Sequence, residues 1–464
     1  MSDASTASAS ENKERTKVIR EENARMLTRL RHWWQEIRSS YWFIPAMMVL
    51  DAVLLATVLI TIDATVDLHM VERWPLLFGA GAAGARSLLT AVASSMITVA
   101  GVVFSITLVA LSLTSSQYTS RVIRIFMRDR VNQAVLGVFV GIFAYCLVVL
   151  RSIRGGGEQT FVPALAVSVG LILAFVGIAF LIYFIHHIST SIQASSIIAG
   201  AAQETIEAVD HLYSEELTAE EDEYGDSDLW ASLAHQPWIA IPARKIGYLE
   251  SFDADALLRV AREYGTILRM ECGTGEFVVA GRPLVSVANP EVLDDEMTVK
   301  VNALYVISRQ RTVEYDVAFG IRQIVDVAMK ALSPGINDTT TAVMCVDYLT
   351  AILVRLANRR IVTTHRLDHG TLRVIAKGPS FESFFAEAFD QIRQNARGNV
   401  AIMSRQLGGL LTIASQTTNP RRRRIVHEKV QWIAELAERT IESPYDRERF
   451  ASRLRRVREM MVSG

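Results

Sequence analysis

Cysteine is scarce in this chain, and the three cysteines stand far apart. Cys146, Cys272 and Cys345 form neither a closely spaced metal-thiolate motif nor a disulfide framework. Such sparse cysteine is typical of soluble regions that stay in a reducing compartment. The sequence therefore predicts no cysteine-bound metal and a cytoplasmic location for the soluble part of the chain.

An excess of charge of one sign is also missing. The 48 lysine and arginine residues balance 49 aspartate and glutamate residues, which leaves a formal charge of −1 at pH 7. The chain thus lacks the overall basic signature of a nucleic-acid-binding protein, and nucleic acid is not an expected partner. Residues 1–40 are polar and charged and contain no cleavable signal peptide, so we interpret them as a cytoplasmic tail.

Charged residues are rare in four long apolar segments that lie before residue 190. A helix needs about 20 apolar residues to cross the hydrocarbon core of a bilayer. The sequence therefore predicts four transmembrane helices, over residues 42–62, 88–113, 131–150 and 161–185.

Arginines flank these segments unevenly. Four precede the first span, and four more fill the connection between the second and third spans: Arg25, Arg29, Arg31, Arg38, Arg121, Arg124, Arg128 and Arg130. Because lysine and arginine collect on the cytoplasmic side of membrane proteins, we expect both termini in the cytoplasm. The expected location is the bacterial inner membrane, with lipid as a partner.

The remainder of the chain has an ordinary soluble composition and predicts a cytoplasmic α+β region. We expect five parts: a tail (1–40), a four-helix transmembrane domain (41–187), a helix with an acidic linker (188–236), a small β-barrel domain (237–312) and a helical C-terminal domain (313–464). Strands are predicted over 239–242, 245–252, 267–272 and 282–287, with a short helix over 257–264. Later helices are predicted over 317–332, 339–357, 381–407 and 425–461.

The second span carries a stripe of small and hydroxyl residues on one helix face. Intervals of three and four residues place its members together, over about 42 Å of helical rise: Ala91, Ser94, Thr98, Gly101, Ser105, Leu108, Ser112, Ser115 and Thr119. Small residues four apart let helices pack closely in lipid. A hydrated pore through an oligomer is the alternative, with Leu108 at the position of an apolar gate.

Charged residues near this stripe bear on the choice between helix packing and a hydrated pore. Arg121, Arg124, Arg128 and Arg130 at its inner end either anchor the topology or favour anions at a pore mouth. Asp51 is the one carboxylate well inside a span, where acids are costly and face protein or water. It is predicted to bind a proton or cation, or else to pair with a hydroxyl such as that of Ser95 or Thr98.

Three soluble motifs have both functional and structural interpretations. A Pro-Gly turn that contains Ser333, Gly335, Asn337 and Asp338 predicts either a helix–helix corner or an anion site at a helix start. The pair His365 and His369 has the spacing of one helix face, but two ligands are too few for a structural metal site. Residues 421–424 are four arginines that either contact lipid headgroups or another subunit, or form a solvated helix start.

Five stretches, in order along the chain, resemble one bacterial family of predicted membrane proteins, domain of unknown function 2254. They are LRHWWQEIRSSYWFIP, RVIRIFMRDRVNQAVLGVFVGIFAYCLVVLR, FIHHISTSIQAS, EFVVAGRPL and ALSPGINDTTTA. The resemblance implies a membrane protein and brings no particular activity. Thr339 departs from it, because the family tends to have proline there. Residues 239–307 also resemble a biotinyl/lipoyl-type hybrid barrel without the carrier lysine, which implies a barrel with no prosthetic group.

These observations favour a homo-oligomeric ion channel or channel-like transporter for small ions. Its pore would be lined by Ser94, Thr98, Gly101, Ser105, Leu108, Ser112 and Ser115. The alternative is a non-conducting, membrane-anchored assembly or signalling protein whose cytoplasmic body binds a ligand or partner. We expect no enzyme and no cofactor, because the sequence has no nucleophile–base pair, phosphate-binding loop or metal cluster.

Overall fold

The computed structural model describes residues 42–65, 81–117, 129–154, 161–213, 236–361 and 365–463, together with Leu233. Within these, the chain divides into a membrane unit, with the residues up to Ser115 and those from 129 to Ile192, and a C-terminal unit, with 116–117 and the residues from Gln193 onward. The predicted tail (1–40) and nearly all of the predicted acidic linker lie outside the described residues.

The membrane unit consists of four long apolar helices, close to the four predicted spans. They are α1 (Phe43–Thr65), α2 (Ala82–Gln117), α3 (Arg130–Ser152) and α4 (Ala164–Ser191). The 36 residues of α2 extend for about 54 Å at helical rise, well beyond the roughly 30 Å thickness of a bilayer core.

Glycines set the close approaches between these helices. On α3, a Cβ at Gly137 would lie 2.6 Å from Met48 Sδ of α1, and one at Gly141 would lie 3.3 Å from the Met48 carbonyl oxygen. On α4, a Cβ at Gly177 would lie 3.1 Å from Met96 Sδ of α2. The Met48 carbonyl oxygen is backbone and cannot move aside as a methionine side chain can, so a larger residue at Gly141 would push α3 away from α1.

The C-terminal unit begins with one helix and a mixed region of short strands and helices. In chain order these are α5 (Ala194–Leu212), β1 (Ile239–Pro242), β2 (Gly247–Phe252), α6 (Ala254–Glu263), β3 (Leu268–Met270), β4 (Phe277–Val278), β5 (Pro283–Val287), α7 (Asp295–Ala303) and β6 (Tyr305–Ser308). Helices then dominate, interrupted by one hairpin: α8 (Val317–Ala331), α9 (Thr339–Leu356), β7 (His365–Asp368), β8 (Thr371–Ile375), α10 (Phe381–Asn395), α11 (Val400–Gln416), α12 (Pro420–Thr440) and α13 (Pro444–Ser463).

The strands form two open sheets, and no closed barrel is present among the described residues. One sheet has the order β1-β5-β3-β8-β7 and the other the order β4-β2-β6. Strand β8 adds in parallel to β3, and every other pair is antiparallel. The predicted small barrel is therefore not confirmed, because the hairpin β7–β8 extends the first sheet outward.

Two predicted helices are each divided into two. The segment predicted over 381–407 breaks between α10 and α11, where Gly398 has a φ of 71° and the side chain of Asn399 accepts a hydrogen bond from Ile402 N. The segment predicted over 425–461 breaks between α12 and α13, and the second helix starts at Pro444. Proline is tolerated in the first turn of a helix and disrupts its interior.

Five described helices are long and apolar enough to cross a membrane: α1 to α4 and also α9. The number of spans thus depends on α9, which packs against α5, α8, α10 and α11 within the C-terminal unit. Its surface carries Asp347, whose carboxylate accepts from the Arg405 guanidinium of α11 at 2.7 Å. The prediction of four spans stays a prediction.

Candidate functional site

Helix α2 has two opposite faces of different composition. One face is buried in the membrane unit and consists mainly of alanine and larger apolar residues: Ala85, Leu89, Ala93, Met96, Ala100, Val103, Thr107, Ala110 and Thr114. The stripe predicted from the sequence lies on the opposite side of the helix, given 3.6 residues per turn. Its described members are all exposed: Ala91, Ser94, Thr98, Gly101, Ser105, Leu108 and Ser112.

Among the described residues, nothing packs on the stripe at Gly101 and Thr98 in a way that requires these residue types. No atom of another described helix lies within 4 Å of the place where a Cβ would be at Gly101, so packing among the described helices does not require glycine there. The Thr98 hydroxyl donates to the Ser94 carbonyl oxygen at 2.8 Å, which satisfies it without a partner helix. The side chain of Ser115 and all of Thr119 lie outside the described residues.

Apolar side chains flank the stripe on both sides. Val102, Phe104, Ile106 and Val109 are exposed, whereas Val103 is buried against the unit. The exposed surface of α2 is therefore a narrow line of small and hydroxyl groups between two apolar borders.

Asp51 lies on an exposed part of α1, between the exposed side chains of Leu50 and Leu54. No hydrogen bond joins it to Ser95 or Thr98, the partners predicted for it. A carboxylate exposed to lipid tails is costly, so membrane helices usually turn such a group toward protein or water.

The basic cluster that follows the stripe in sequence falls mostly outside the described residues. Arg121, Arg124 and Arg128 are in that undescribed part, and Arg130 is the exposed first residue of α3. Its role as a pore mouth or as a topology anchor stays a prediction.

Charged side chains close helix ends of the membrane unit, and no local sequence motif indicates their partners. The Asp63 carboxylate at the end of α1 accepts from the backbone N–H groups of Leu165 and Ala166, at 3.3 and 3.1 Å, at the start of α4. Arg86 of α2 donates to the carbonyl oxygen of Ile153 at 2.9 Å, at the end of α3. Both contacts place charge where helix ends attract it.

A carboxylate–imidazole pair joins α3 to the end of α4. One oxygen of Asp129 accepts from Val131 N at 2.9 Å and so caps α3, and the other lies 2.5 Å from His187 Nε2. Aspartate directly before an apolar helix is a visible capping signal. Its partner, His187, could not be predicted, because it lies 58 residues further along the chain.

The Pro-Gly corner of the C-terminal unit is a capped helix start. Asp338 accepts from Thr341 N at 3.0 Å and from the Thr341 hydroxyl at 2.6 Å, and these bonds hold the pKa of Asp338 below its usual range. Asn337 is exposed and left-handed, with a φ of 48°. Ser333 donates to Lys330 O at 2.7 Å, and Gly335 is exposed. These residues make one turn between α8 and α9.

His365 and His369, whose spacing matches one helix face, lie on a β-hairpin and share no helix. His365 begins β7, and His369 occupies the turn before β8 together with Gly370, both with positive φ. Two successive residues with positive φ are the requirement of a tight hairpin turn. Within the described ranges no group of three or more histidine, cysteine or acidic side chains could hold a metal ion.

The arginine run at 421–424 is partly buried. Arg422 has no exposed surface; its Nη1 donates to the Leu356 carbonyl oxygen at 2.7 Å, and its guanidinium lies 4.9 Å from the centre of the Phe381 ring. This residue therefore closes the end of α9, while Arg424 is exposed. The run is thus part of the helix packing at Arg422 and open to solvent or a partner at Arg424.

A family with the description Predicted membrane protein (DUF2254) matches residues 38–412 of this sequence. The chain belongs to this family. Two similar proteins, described as uncharacterised, come from Mycobacterium bovis and Mycobacterium tuberculosis. Each is 33% identical over 382 residues, which cover 80% of this chain and 72% of the relative. No solved structure matches.

The family match includes the whole membrane unit and most of the C-terminal unit up to α11. Both the stripe on α2 and the corner before α9 lie inside it. At Thr339, where the resemblance led us to expect proline, the hydroxyl accepts from Asn399 Nδ2 at 3.1 Å. A proline has no such hydroxyl, so this chain links the starts of α9 and α11 through threonine.

Proposed function

We propose that this predicted membrane protein assembles into a homo-oligomeric channel or channel-like transporter for small ions, with α2 of each copy facing the central axis. The observation that carries the proposal is the exposure of the entire described stripe on the side of α2 opposite its buried face. A single chain of four spans has too few helices to enclose a pore, so several copies must contribute.

The chemistry of the exposed face supports an axis lined by α2. Hydroxyl groups and glycine gain nothing from contact with lipid tails, whereas they suit a wet lumen or a close contact between helices. No residue between Ala91 and Thr119 is charged, so an ion would meet hydroxyl groups and backbone carbonyls. The exposed Asp51 adds a second polar surface that an assembly would cover.

With α2 at the axis, Leu108 is the residue that would gate the pore. Leu108 is the only large apolar member of the stripe and is 49% exposed, so a ring of these side chains would form an apolar constriction.

We further propose that only α1 to α4 span the inner membrane, with both termini in the cytoplasm. The support for this is that α9 is packed among helices of the C-terminal unit and carries Asp347.

A non-conducting assembly is the second candidate, and one observation favours it. The Thr98 hydroxyl already has a partner in its own helix. The same stripe could therefore form a dry contact between copies, which would serve a membrane-anchored assembly or signalling role.

Conductance across a planar bilayer in potassium chloride tests the channel. Ser105→Trp places a bulky ring on the stripe, and we expect it to reduce the conductance of the reconstituted protein at least tenfold. Ile106→Trp is the matched control, because Ile106 is exposed one residue away but lies on an apolar border of α2; its conductance should stay near that of the original protein.

Three results would contradict the proposal. One is a conductance that Ser105→Trp leaves unchanged, and another is the absence of conductance from an intact oligomer, which would favour the non-conducting assembly. The third is a monomer in lipid nanodiscs by mass photometry, which would remove both candidates that rest on contact between copies.

A further inference from the structure

Large apolar side chains are exposed at one end of the three-stranded sheet in the C-terminal unit. Ile246, Phe277 and Val279 are 64%, 55% and 45% exposed. Together with Arg244, Lys245 and Arg282 they form what we call the basic–apolar tip. Soluble surfaces seldom place apolar side chains of this size together unless the surface binds something.

Backbone pairing brings the two halves of the tip together. Gly247 pairs with Val278 and Tyr248 with Phe277 in the β2–β4 ladder. Beyond the ladder, Ala243 N donates to the Arg282 carbonyl oxygen and Gly281 N to the Ala243 carbonyl oxygen, both at 2.8 Å. Residues 244–246 and 277–282 therefore lie side by side at one end of the three-stranded sheet.

The tip is held in a fixed shape. The rings of Tyr248 and Phe277 meet edge to face, with centroids 5.1 Å apart. Gly247 has a φ of 151°, and a Cβ there would clash with the Ser308 carbonyl oxygen of β6. Because the shape is set in advance, exposure of Phe277 is a property of the fold.

The charge around the apolar side chains is positive. Arg244, Lys245 and Arg282 are all exposed. The carboxylate next to Phe277, Glu276, pairs with Lys377, whose Nζ lies 2.8 Å from it. The carboxylate nearest to Ile246 in sequence, Glu250, accepts from the hydroxyls of Ser308 and Thr312. Cations that surround apolar side chains match the headgroup and acyl layers of an anionic membrane surface.

We propose that the basic–apolar tip docks onto the anionic lipid surface of the membrane in which the chain is anchored. Phe277, Ile246 and Val279 enter the acyl boundary, and the three cations contact phosphate-bearing headgroups. A second copy of the chain is a poorer occupant, because a two-fold contact would bring the same cations together. The proposal does not depend on conduction through α2.

Hydrogen exchange of the full-length protein in nanodiscs tests this docking. One set of nanodiscs contains phosphatidylcholine alone, and the other contains phosphatidylcholine with one third phosphatidylglycerol. We expect amides of 243–248 and 276–282 to exchange more slowly in the anionic nanodiscs, and this protection to fall when sodium chloride is raised from about 0.1 to 0.5 M.

Charge reversal identifies the groups responsible. The triple variant Arg244→Glu, Lys245→Glu and Arg282→Glu should lose the lipid-dependent protection, with an affinity loss of about fivefold or more for each cation removed. The matched control reverses three exposed arginines of α13, Arg449, Arg455 and Arg458, and should keep the protection at the tip. A second variant, Phe277→Ser with Val279→Ser, keeps the charge and should also lose protection.

Folding is checked in the same data from the exchange of β1, β3 and β5, which should not change in any variant. Equal exchange of the tip in both kinds of nanodisc would overturn the proposal. So would protection that rises with protein concentration in neutral detergent, since that result assigns the tip to contact between copies. The salt series on the original protein decides the matter even if a variant fails to fold.

Discussion

Single charged side chains complete the helix ends in both units of this molecule. Asp63 and Asp129 accept hydrogen bonds from backbone N–H groups at the starts of α4 and α3, and Asp338 does so at the start of α9. Arg86 and Arg422 donate to carbonyl oxygens where α3 and α9 end. These ends otherwise leave N–H and C=O groups without partners, which is costly where water is excluded.

The cap at Asp338 gives a stability prediction with a defined pH dependence. Asp338→Ala removes the acceptor for Thr341 and should lower the free energy of unfolding by about 1 kcal/mol, and Asp338→Asn by less. Hydrogen bonds from Thr341 lower the pKa of Asp338 from its ordinary value of 3.8. The stabilisation is therefore fully present above pH 3.8 and is lost as the pH falls through the lowered pKa.

Thermal unfolding of the detergent-solubilised protein, followed by circular dichroism at several pH values, measures this effect. Ser333→Ala is the control, because that hydroxyl donates to a carbonyl oxygen of the same turn and does not titrate. A difference between the original protein and Asp338→Asn that grows on acidification would contradict the assignment of the carboxylate as the cap.

Some of these caps could be found from the sequence and others could not. An acidic residue directly before an apolar helix, such as Asp338, is visible as a capping signal. The contacts of Asp63 and Arg86 join residues 103 and 67 positions apart, and nothing in the local sequence indicates such partners.

At the scale of elements, α9 and α11 cross where one of them has no side chain. A Cβ added at Gly409 of α11 would clash with the hydroxyl of Thr350 on α9. The same added Cβ would lie 3.4 Å from the Cβ of Thr350. The two helices therefore lie so close together that, opposite Thr350, only glycine fits without a clash.

A double-mutant cycle tests this crossing. Gly409→Ala alone should lower the free energy of unfolding by about 1–3 kcal/mol through overpacking. In the Thr350→Ala background the hydroxyl is gone, so the same change should cost less than half as much. Equal costs in both backgrounds, measured by chemical denaturation, would show that the clash does not set the distance between the helices.

Prediction of elements from the sequence succeeded where hydrophobic periodicity was long and uninterrupted. The ends of the apolar spans were predicted to within six residues, and those of α8 and α9 to within one. Two pairs of helices were each predicted as one long helix, because the hydrophobic periodicity continues on both sides of the break. The breaks themselves are marked only by the Gly398-Asn399 pair and by Pro444. The open sheets escaped prediction, since the parallel pairing of β3 with β8 joins strands about 100 residues apart, such as Leu268 with Val374.

For the molecule as a whole, the proposed assembly places α2 of neighbouring copies in contact or across a narrow lumen. Cysteine cross-linking in native-like membranes measures this directly. In a Cys272→Ser background, Ser105→Cys should form covalent dimers on mild oxidation, whereas Ile106→Cys should not. Cys146 and Cys345 are buried and so do not compete.

The outcome that contradicts this arrangement is also specific. Suppose that Ile106→Cys forms dimers and Ser105→Cys does not. That result would show that an apolar border of α2 faces the axis and that the stripe faces lipid. The channel proposal would then lose its lining, although the family assignment and the membrane unit would stand.

The length of α2 has a mechanical consequence. Even at a tilt of 40°, the steep end of the usual range, a bilayer core about 30 Å thick contains only about 39 Å of a helix. At least ten or so of the 36 residues of α2 must therefore lie outside the hydrocarbon. The segment contains no proline, so a push on its protruding end would be carried as rigid-body motion to the residues at mid-bilayer.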